Sequence, residues 1–228
     1  MRNYFLDFYW LVRSKMFDGL CFARDRLVEY GDLRFAKADV CLRRWSRKHN
    51  FRRHYLSFVG GKDNELLEPY GETPIKTMRK IVRSMGILPG QKVMELGAGR
   101  GRIAIWLATQ VGCKVVAVEH APFMVELGKS ACECAGISEE EIKWICSDFA
   151  KAPFEEVDLV YLYGTGLPDI LYEKLCLRFR QMKRPPHIIT VGGPLSEYDS
   201  LFSAIQVTSV VFPWGWTYAY LNTCKPQD

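Results

Sequence analysis

Nowhere in the 228 residues is there a run approaching the roughly 20 apolar residues that a bilayer-spanning helix needs. The longest apolar stretch near the N-terminus, Tyr4 to Val12, is broken by Asp7 and closed by Arg13, and no small-residue cleavage site follows it. A secretory signal is therefore not expected. Histidine is scarce, at 4 residues, and the 8 cysteines are scattered through apolar contexts such as Ile142-Lys-Trp-Ile-Cys146. Their only close pair, Cys132-Glu-Cys134, has neither a second pair nor a histidine partner at zinc spacing. The cysteines read as buried thiols in a reducing compartment, so no metal site is expected and the cytoplasm is the expected location. Repeats and low-complexity tracts are missing too. With 48% hydrophobic and 25% charged residues the chain has the composition of a globular domain, and it is long enough to bury a core without staples.

What charge there is lies unevenly. Residues 1–60 hold 13 Lys and Arg against 6 Asp and Glu, whereas the remainder holds 18 against 20. A composition boundary near Gly60-Gly61 divides a basic helical extension, residues 1–60, from a larger domain, residues 61–228. In the extension Phe5, Phe8, Val12, Met16, Leu20, Ala23, Leu27 and Tyr30 recur every three or four residues, the pattern of an amphipathic helix that Gly31 would end. Leu33, Ala36 and Val40 suggest a second helix running into Arg43-Arg44-Trp45-Ser46-Arg47-Lys48-His49-Asn50-Phe51-Arg52-Arg53-His54. Basic residues with interleaved aromatics suit a nucleic acid or an anionic membrane surface, and equally a solvated helix face packed on the main domain.

Beyond Gly60 the rhythm changes. Thr73-Pro74 reads as an N-cap followed by proline at the first helical position, with the helix stopping near Gly86. Strand-like runs at Val93–Leu96, Lys114–Glu119, Ile142–Cys146, Val157–Tyr163 and His187–Val191 alternate with helical ones near Arg102–Gln110, Pro122–Cys134 and Asp169–Met182. Such alternation predicts an α/β fold, Rossmann-like, with a parallel sheet covered on both faces. Ile205–Phe212, the turn Pro213-Trp214-Gly215-Trp216, and Thr217–Cys224 add an antiparallel terminal hairpin.

The chemistry is concentrated in Glu95-Leu-Gly97-Ala98-Gly99-Arg-Gly101, a strand, a glycine-rich turn and a helix start. Gly97, Gly99 and Gly101 allow a sharp turn and a close approach of backbone to ligand. The next strand ends at Glu119, placed to accept hydrogen bonds from both hydroxyls of a ribose. A dinucleotide fingerprint would carry its third glycine where Arg102 stands, and its pyrophosphate needs an open helix N-terminus. S-adenosyl-L-methionine has no phosphate and needs room for a zwitterionic amino acid and a sulfonium, which the pattern from Gly97 to Gly101 provides. The third strand ends at Cys146-Ser147-Asp148-Phe149, where Asp148 can accept from an adenine amino group and the Phe149 backbone can meet the ring edge. His120, next to Glu119, either touches the adenine edge or faces solvent.

These residues resemble the motifs of class I S-adenosylmethionine-dependent methyltransferases, which implies a seven-stranded sheet whose last strand is antiparallel. Pro69-Tyr70-Gly71-Glu72-Thr73 is similar to the cofactor-covering loop of the nucleosomal (disruptor of telomeric silencing type) histone-lysine methyltransferases, and the similarity runs over about residues 68–224. It implies that Tyr70, Glu72 and Thr73 cover the cofactor. Gly101-Arg-Ile103 also resembles smaller lysine methyltransferases that act on a mitochondrial carrier. Where the histone enzymes read Asn-Asn-Phe-Ala-Phe after the fourth strand, this chain has Tyr161-Leu-Tyr163-Gly164-Thr165-Gly166-Leu167-Pro168. That loop has no Asn/Asp-Pro-Pro-aromatic run, no nucleophilic cysteine, and no His, Glu or Lys to act as a strong base. An aromatic slot built from Tyr163 with Tyr70, Trp214 or Trp216 suits an amine arriving deprotonated. Tyr163, Gly164 and Thr165 are therefore expected to wall the acceptor, with Glu72 closing over the cofactor's amino acid end or lying near the transferring methyl. The expected function is methylation of a protein lysine. An RNA or small-molecule acceptor, or a cofactor-binding interaction module, remain the alternatives.

Overall fold

The computed structural model describes residues 4–48, 71–154, 156–165 and 167–225. Tyr70, the basic stretch from His49 to His54 and the boundary near Gly60 lie outside them. Two helices come first, α1 (Tyr4–Val28) and α2 (Leu33–Lys48). There follow α3 (Ile75–Met85), β1 (Lys92–Leu96), α4 (Arg102–Trp106, continued by a π-helical turn Leu107–Val111) and β2 (Lys114–Glu119). Then come α5 (Pro122–Ala135), β3 (Ile142–Cys146), β4 (Leu159–Leu162), α6 (Asp169–Arg180), β5 (His187–Val191), β6 (Phe202–Phe212) and β7 (Gly215–Cys224).

The strands form a seven-stranded sheet in the order β3-β2-β1-β4-β5-β7-β6, parallel except for β7, which runs antiparallel to both β5 and β6. Strand order reverses between β1 and β4, so the crevice outside their carboxyl ends is where an open α/β sheet binds its ligand. Alternate residues feed separate cores. Val93, Val115, Ala117, Leu159 and Ile189 pack on the side of α2, α3, α4 and α5, and Met94, Val116, Val118, Val160 and Ile188 pack against Tyr172, Leu175 and Phe179 of α6. Between β5 and β6 there is only a 3-10 turn, Leu195–Glu197. The second face of the hairpin is correspondingly bare, with Trp216 and Tyr218 exposed.

Two expectations need correction. Thr73 does not cap α3; its hydroxyl is 2.6 Å from the Tyr161 hydroxyl, and Pro74 takes the cap position without a side-chain bond. Nor are the cysteines uniformly buried: Cys113, Cys132 and Cys176 are, but Cys134 and Cys146 are exposed, the latter because β3 is the sheet's edge strand. The helical segment expected near Arg102–Gln110 is present, its second half wound as a π-helical turn after Trp106.

Among the described side chains α1 joins the main domain through charge, whereas α2 also buries Phe35, Ala38 and Leu42 in its core. Arg102, the first residue of α4, is buried; its Nε donates to Asp39 at 2.7 Å and its Nη2 to Asp25 at 2.9 Å. Asp39 also accepts from the Tyr30 hydroxyl at 2.6 Å and Arg43 Nε at 2.9 Å. Glu29 accepts from Trp106 Nε1 at 3.0 Å and pairs with Arg79. Burial alone would raise the Asp39 carboxyl, but Arg102, Arg43 and Tyr30 outweigh it and hold it at about 2. At Asp25 burial wins over Arg102 and the shift is upward.

Removing one partner from such a buried cluster strands the others. Arg102→Met is expected to cost about 3–5 kcal/mol near neutral pH by denaturant unfolding. The sign of the pH dependence tests the cause. In the wild type the depressed Asp39 contributes stability above the ordinary carboxylate range, lost as pH falls toward about 2. In the variant, burial without Arg102 raises both carboxyls, so the deficit should shrink as the pH is lowered from neutral. A deficit independent of pH would show that the guanidinium acts by packing alone.

Candidate functional site

The turn after β1 is built from glycines in left-handed conformation, with φ of 76° at Gly97, 57° at Gly99 and 77° at Gly101. Their missing side chains serve different ends. A Cβ on Gly97 would meet nothing within 4 Å, so this glycine leaves open space over the turn. A Cβ on Gly101 would fall 2.2 Å from the Trp144 indole, and one on Gly128 of α5 would fall 2.1 Å from it. The missing side chain of Gly101 therefore makes room for Trp144.

Above Gly97 lies a crevice lined by Gly71, Glu72, Thr73, Glu95, Ala98, Arg102, Ile103 and Tyr163. Glu95 sits at its floor, buried, with Oε2 lacking any partner. Burial pushes its pKa well above the carboxylate range, against the pull of the Ala104 amide, and the nearby charges of Glu72 and Glu119 push the same way. Glu72 is gripped by Arg100, whose Nε and Nη2 reach its two oxygens, the second at 2.8 Å. The same arginine donates from Nη1 to Ser46 of α2 at 2.7 Å, tying the N-terminal layer to the rim.

At the tip of β2, Glu119 Oε2 accepts from the Gly99 amide at 2.8 Å and Oε1 from the Ala121 amide at 2.9 Å. Burial opposes ionisation, but His120 and the two amides outweigh it and shift the group downward, so it is a carboxylate at neutral pH. His120 is exposed, with Nδ1 3.1 Å from Glu119 Oε1; that bond outweighs its partial burial and raises its pKa. On the adjacent strand tip Asp148 is exposed and accepts from the Ala150 amide at 2.8 Å, while Phe149 is half-buried and its carbonyl accepts from Arg178 at 2.8 Å.

The loop after β4 forms the opposite wall. Tyr163 stacks on Phe212 with centroids 4.8 Å apart, Phe212 stacks on Trp214 at 5.4 Å, and Trp214 Nε1 donates to the Tyr163 hydroxyl at 3.0 Å. Trp216 takes no part in this group. Gly164 is fixed by the Tyr172 hydroxyl, which donates to its carbonyl at 2.8 Å, and Thr165 packs against Gly192. Of the expected residues, Glu72, Thr73, Glu95, Gly97, Ala98 and Tyr163 thus meet in one crevice, and Glu119, His120, Asp148 and Phe149 lie together on neighbouring strand tips. Arg100, Arg102, Trp144 and Phe212 were not anticipated. Only the arginines left a trace in sequence, as two cations flanking Gly101 where no phosphate was expected.

Residues 93–185 match the family model of a methyltransferase domain. Over that stretch the chain is similar to methyltransferase domains. An RNA methyltransferase from Salinibacter ruber, solved with S-adenosyl-L-homocysteine, shares the fold with a TM-score of 0.56 at 20% identity over 69% of this chain and 95% of that one. Sphingolipid C9-methyltransferase B of Emericella nidulans is 28% identical over 116 residues, 47% of this chain and 23% of that protein. Sterol 24-C-methyltransferase of Yarrowia lipolytica is 25% identical over 119 residues, 51% of this chain and 28% of that protein. The chain thus spans about a quarter of the length of these curated relatives.

A buried, half-satisfied Glu95 is a cost to the ligand-free fold. Its raised pKa means that the protonated form is favoured by folding and that stability is lost as pH rises through that pKa. Glu95→Gln, neutral and isosteric, is expected to be at least as stable as the wild type at neutral pH, by up to about 1–3 kcal/mol, and to lose that alkaline decline. A less stable glutamine variant in denaturant titrations would mean that Glu95 is satisfied in the free protein.

Proposed function

We propose that the chain transfers a methyl group from S-adenosyl-L-methionine to a protein lysine amine. The observation that carries the cofactor is the unpartnered Glu95 oxygen beneath a glycine-lined crevice at the point where strand order reverses. A buried carboxylate without a donor calls for a cation, and the ammonium of a zwitterionic amino acid meets that need. Glu119 Oε2 has one backbone donor and keeps a second lone pair for a ribose hydroxyl, whereas Oε1 is already met by the Ala121 amide and by His120. Asp148 and the Phe149 backbone offer the adenine contacts. The ionised Glu119 beside the turn, with Arg100 and Arg102 already engaged by acids, disfavours a phosphate, which argues against a dinucleotide.

When bound, the cofactor supplies an electrophilic methyl group. The chain's part is to orient and to exclude water. Tyr163, Phe212 and Trp214 present stacked rings beside the crevice, a surface that receives an alkylammonium by cation–π contact. Among the described residues of the 163–165 loop there is no base, and Glu72 is held by Arg100. A lysine that arrives deprotonated needs none. A second reading, a lipid acceptor, is favoured by the similarity of about half of the chain to enzymes named for sphingolipids and sterols.

Calorimetry with S-adenosylhomocysteine tests the cofactor site. Glu119→Ala and Glu95→Gln are each expected to weaken binding by about 1.5–3 kcal/mol, the scale of a hydrogen bond to a charged group. Wild-type affinity should fall as pH drops through the raised Glu95 pKa, because the ligand must then displace a proton, and the glutamine variant should show no such fall. Unchanged affinity in both variants would refute the assignment. For the acceptor, tritiated-methyl transfer into fractionated lysate should label protein, as acid-stable methyl-lysine. Label confined to lipid or to RNA would overturn the lysine reading and leave the cofactor reading standing.

A further inference from the structure

The N-terminal helix turns its apolar residues the wrong way for a helix that serves only to complete a core. Val12, Met16, Leu20 and Leu27 are 39%, 64%, 71% and 86% exposed, and Ala23 between them is exposed as well. At about 100° per residue these five positions fall within an arc of roughly 80°, along about 22 Å of helix. The opposite face carries Asp25 and Glu29, which are buried against Arg102, Arg79 and Trp106. Acids point inward and hydrocarbon outward, so no neighbour within the described residues covers the stripe.

We propose that α1 lies on an anionic lipid bilayer, with this stripe in the boundary between headgroups and acyl chains. Charge selects this occupant. Residues 1–60 carry 13 Lys and Arg against 6 acids. Of those acids Asp25, Glu29 and Asp39 are sequestered in buried pairs, in large part by Arg79 and Arg102 of the main domain, and Asp32 is engaged by the Arg34 and Phe35 amides at the start of α2. Arg24, Arg34 and Arg43 are spent on acids in turn, yet with Arg79 and Arg102 drawn in from the main domain the segment keeps its excess of bases, among them Arg26, exposed beside the stripe. An apolar strip bordered by cations is the arrangement that binds acidic headgroups and buries side chains beneath them. Among the described residues no helix is long and apolar enough to cross a membrane, so α1 lies along the surface.

Flotation with vesicles of phosphatidylcholine, with and without phosphatidylglycerol, tests the assignment on the full chain. The wild type is expected to float with the phosphatidylglycerol vesicles at least about 10-fold more strongly than with phosphatidylcholine alone. Met16→Glu/Leu20→Glu/Leu27→Glu should weaken that binding by at least about 10-fold, while its thermal melting and its affinity for S-adenosylhomocysteine stay at wild-type values, since all three side chains are exposed. Equal flotation of wild type and variant, or no flotation of the wild type, would overturn the proposal. So would a wild-type dimer in light scattering that the variant abolishes without any vesicle binding, for then a second copy covers the stripe. None of these readings depends on methyl transfer, so the lipid assignment can fail while the methyltransferase reading stands, and the reverse.

Discussion

Arg102 is the joint on which the architecture turns. It follows directly on Gly101, opens α4, and delivers its guanidinium into a pocket whose acids come from α1 and α2. A buried arginine there is tolerable only because Asp39 and Asp25 meet it in hydrogen-bond geometry. Because the residue sits at the exit of the glycine turn, the same contacts that bind the N-terminal helices also fix where the turn ends. Its neighbour Arg100 does the complementary task on the rim, holding Glu72 with one side of its fork and Ser46 of α2 with the other. Two arginines on either side of Gly101 thereby couple the helical layer to the crevice at two heights, one buried and one near solvent.

The electrostatics of the crevice follow from this arrangement. Arg102 spends its charge on α1 and α2, and Arg100 spends its own on Glu72, so neither offers a cation to a ligand phosphate. What remains facing the crevice is carboxyl: Glu95, without a donor on one oxygen and pushed toward its protonated form by burial, and Glu119, ionised at the strand tip. In a site of low polarisability that difference decides between ligands that share an adenosine. A pyrophosphate would meet the ionised Glu119 at close range, while an ammonium and a ribose hydroxyl would satisfy the two carboxyls. The choice between the two ligand classes, which the spacing of glycines only suggests, is thus made by which arginines are already occupied.

Sheet and turn were largely legible because their signals are local. Lys114–Glu119, Ile142–Cys146 and His187–Val191 are strands with the expected bounds, each a β-rich run closed by turn-forming residues. What escaped depends on partners far away in the chain. Thr73 carries the side chain of an N-cap, yet a buried Tyr161 hydroxyl 88 residues on competes for it and wins. Gly101 gives no local sign that Trp144, on a strand two crossovers later, fills the space its side chain would need. Asp25 and Glu29 look like the solvent face of an amphipathic helix, because nothing within α1 announces that arginines at 79 and 102 will take them inside. Periodicity finds the apolar stripe and leaves open which side of the helix the protein keeps.

That ambiguity has a physical resolution. A helix can dock by hydrocarbon, gaining about 25 cal/mol for each Å² of apolar surface removed from water, or by ion pairs, where desolvation consumes most of the Coulombic gain. Docking α1 by its acids yields little net stability for the fold compared with docking it by Val12, Met16, Leu20 and Leu27. The arrangement makes sense if those side chains are withheld for a surface outside the chain, with the buried pairs setting the helix's orientation so that the stripe faces away. The weakness of the docking and the exposure of the stripe are then two consequences of one choice. The same pairs carry that orientation through Arg102 to the turn at which the ligand crevice begins.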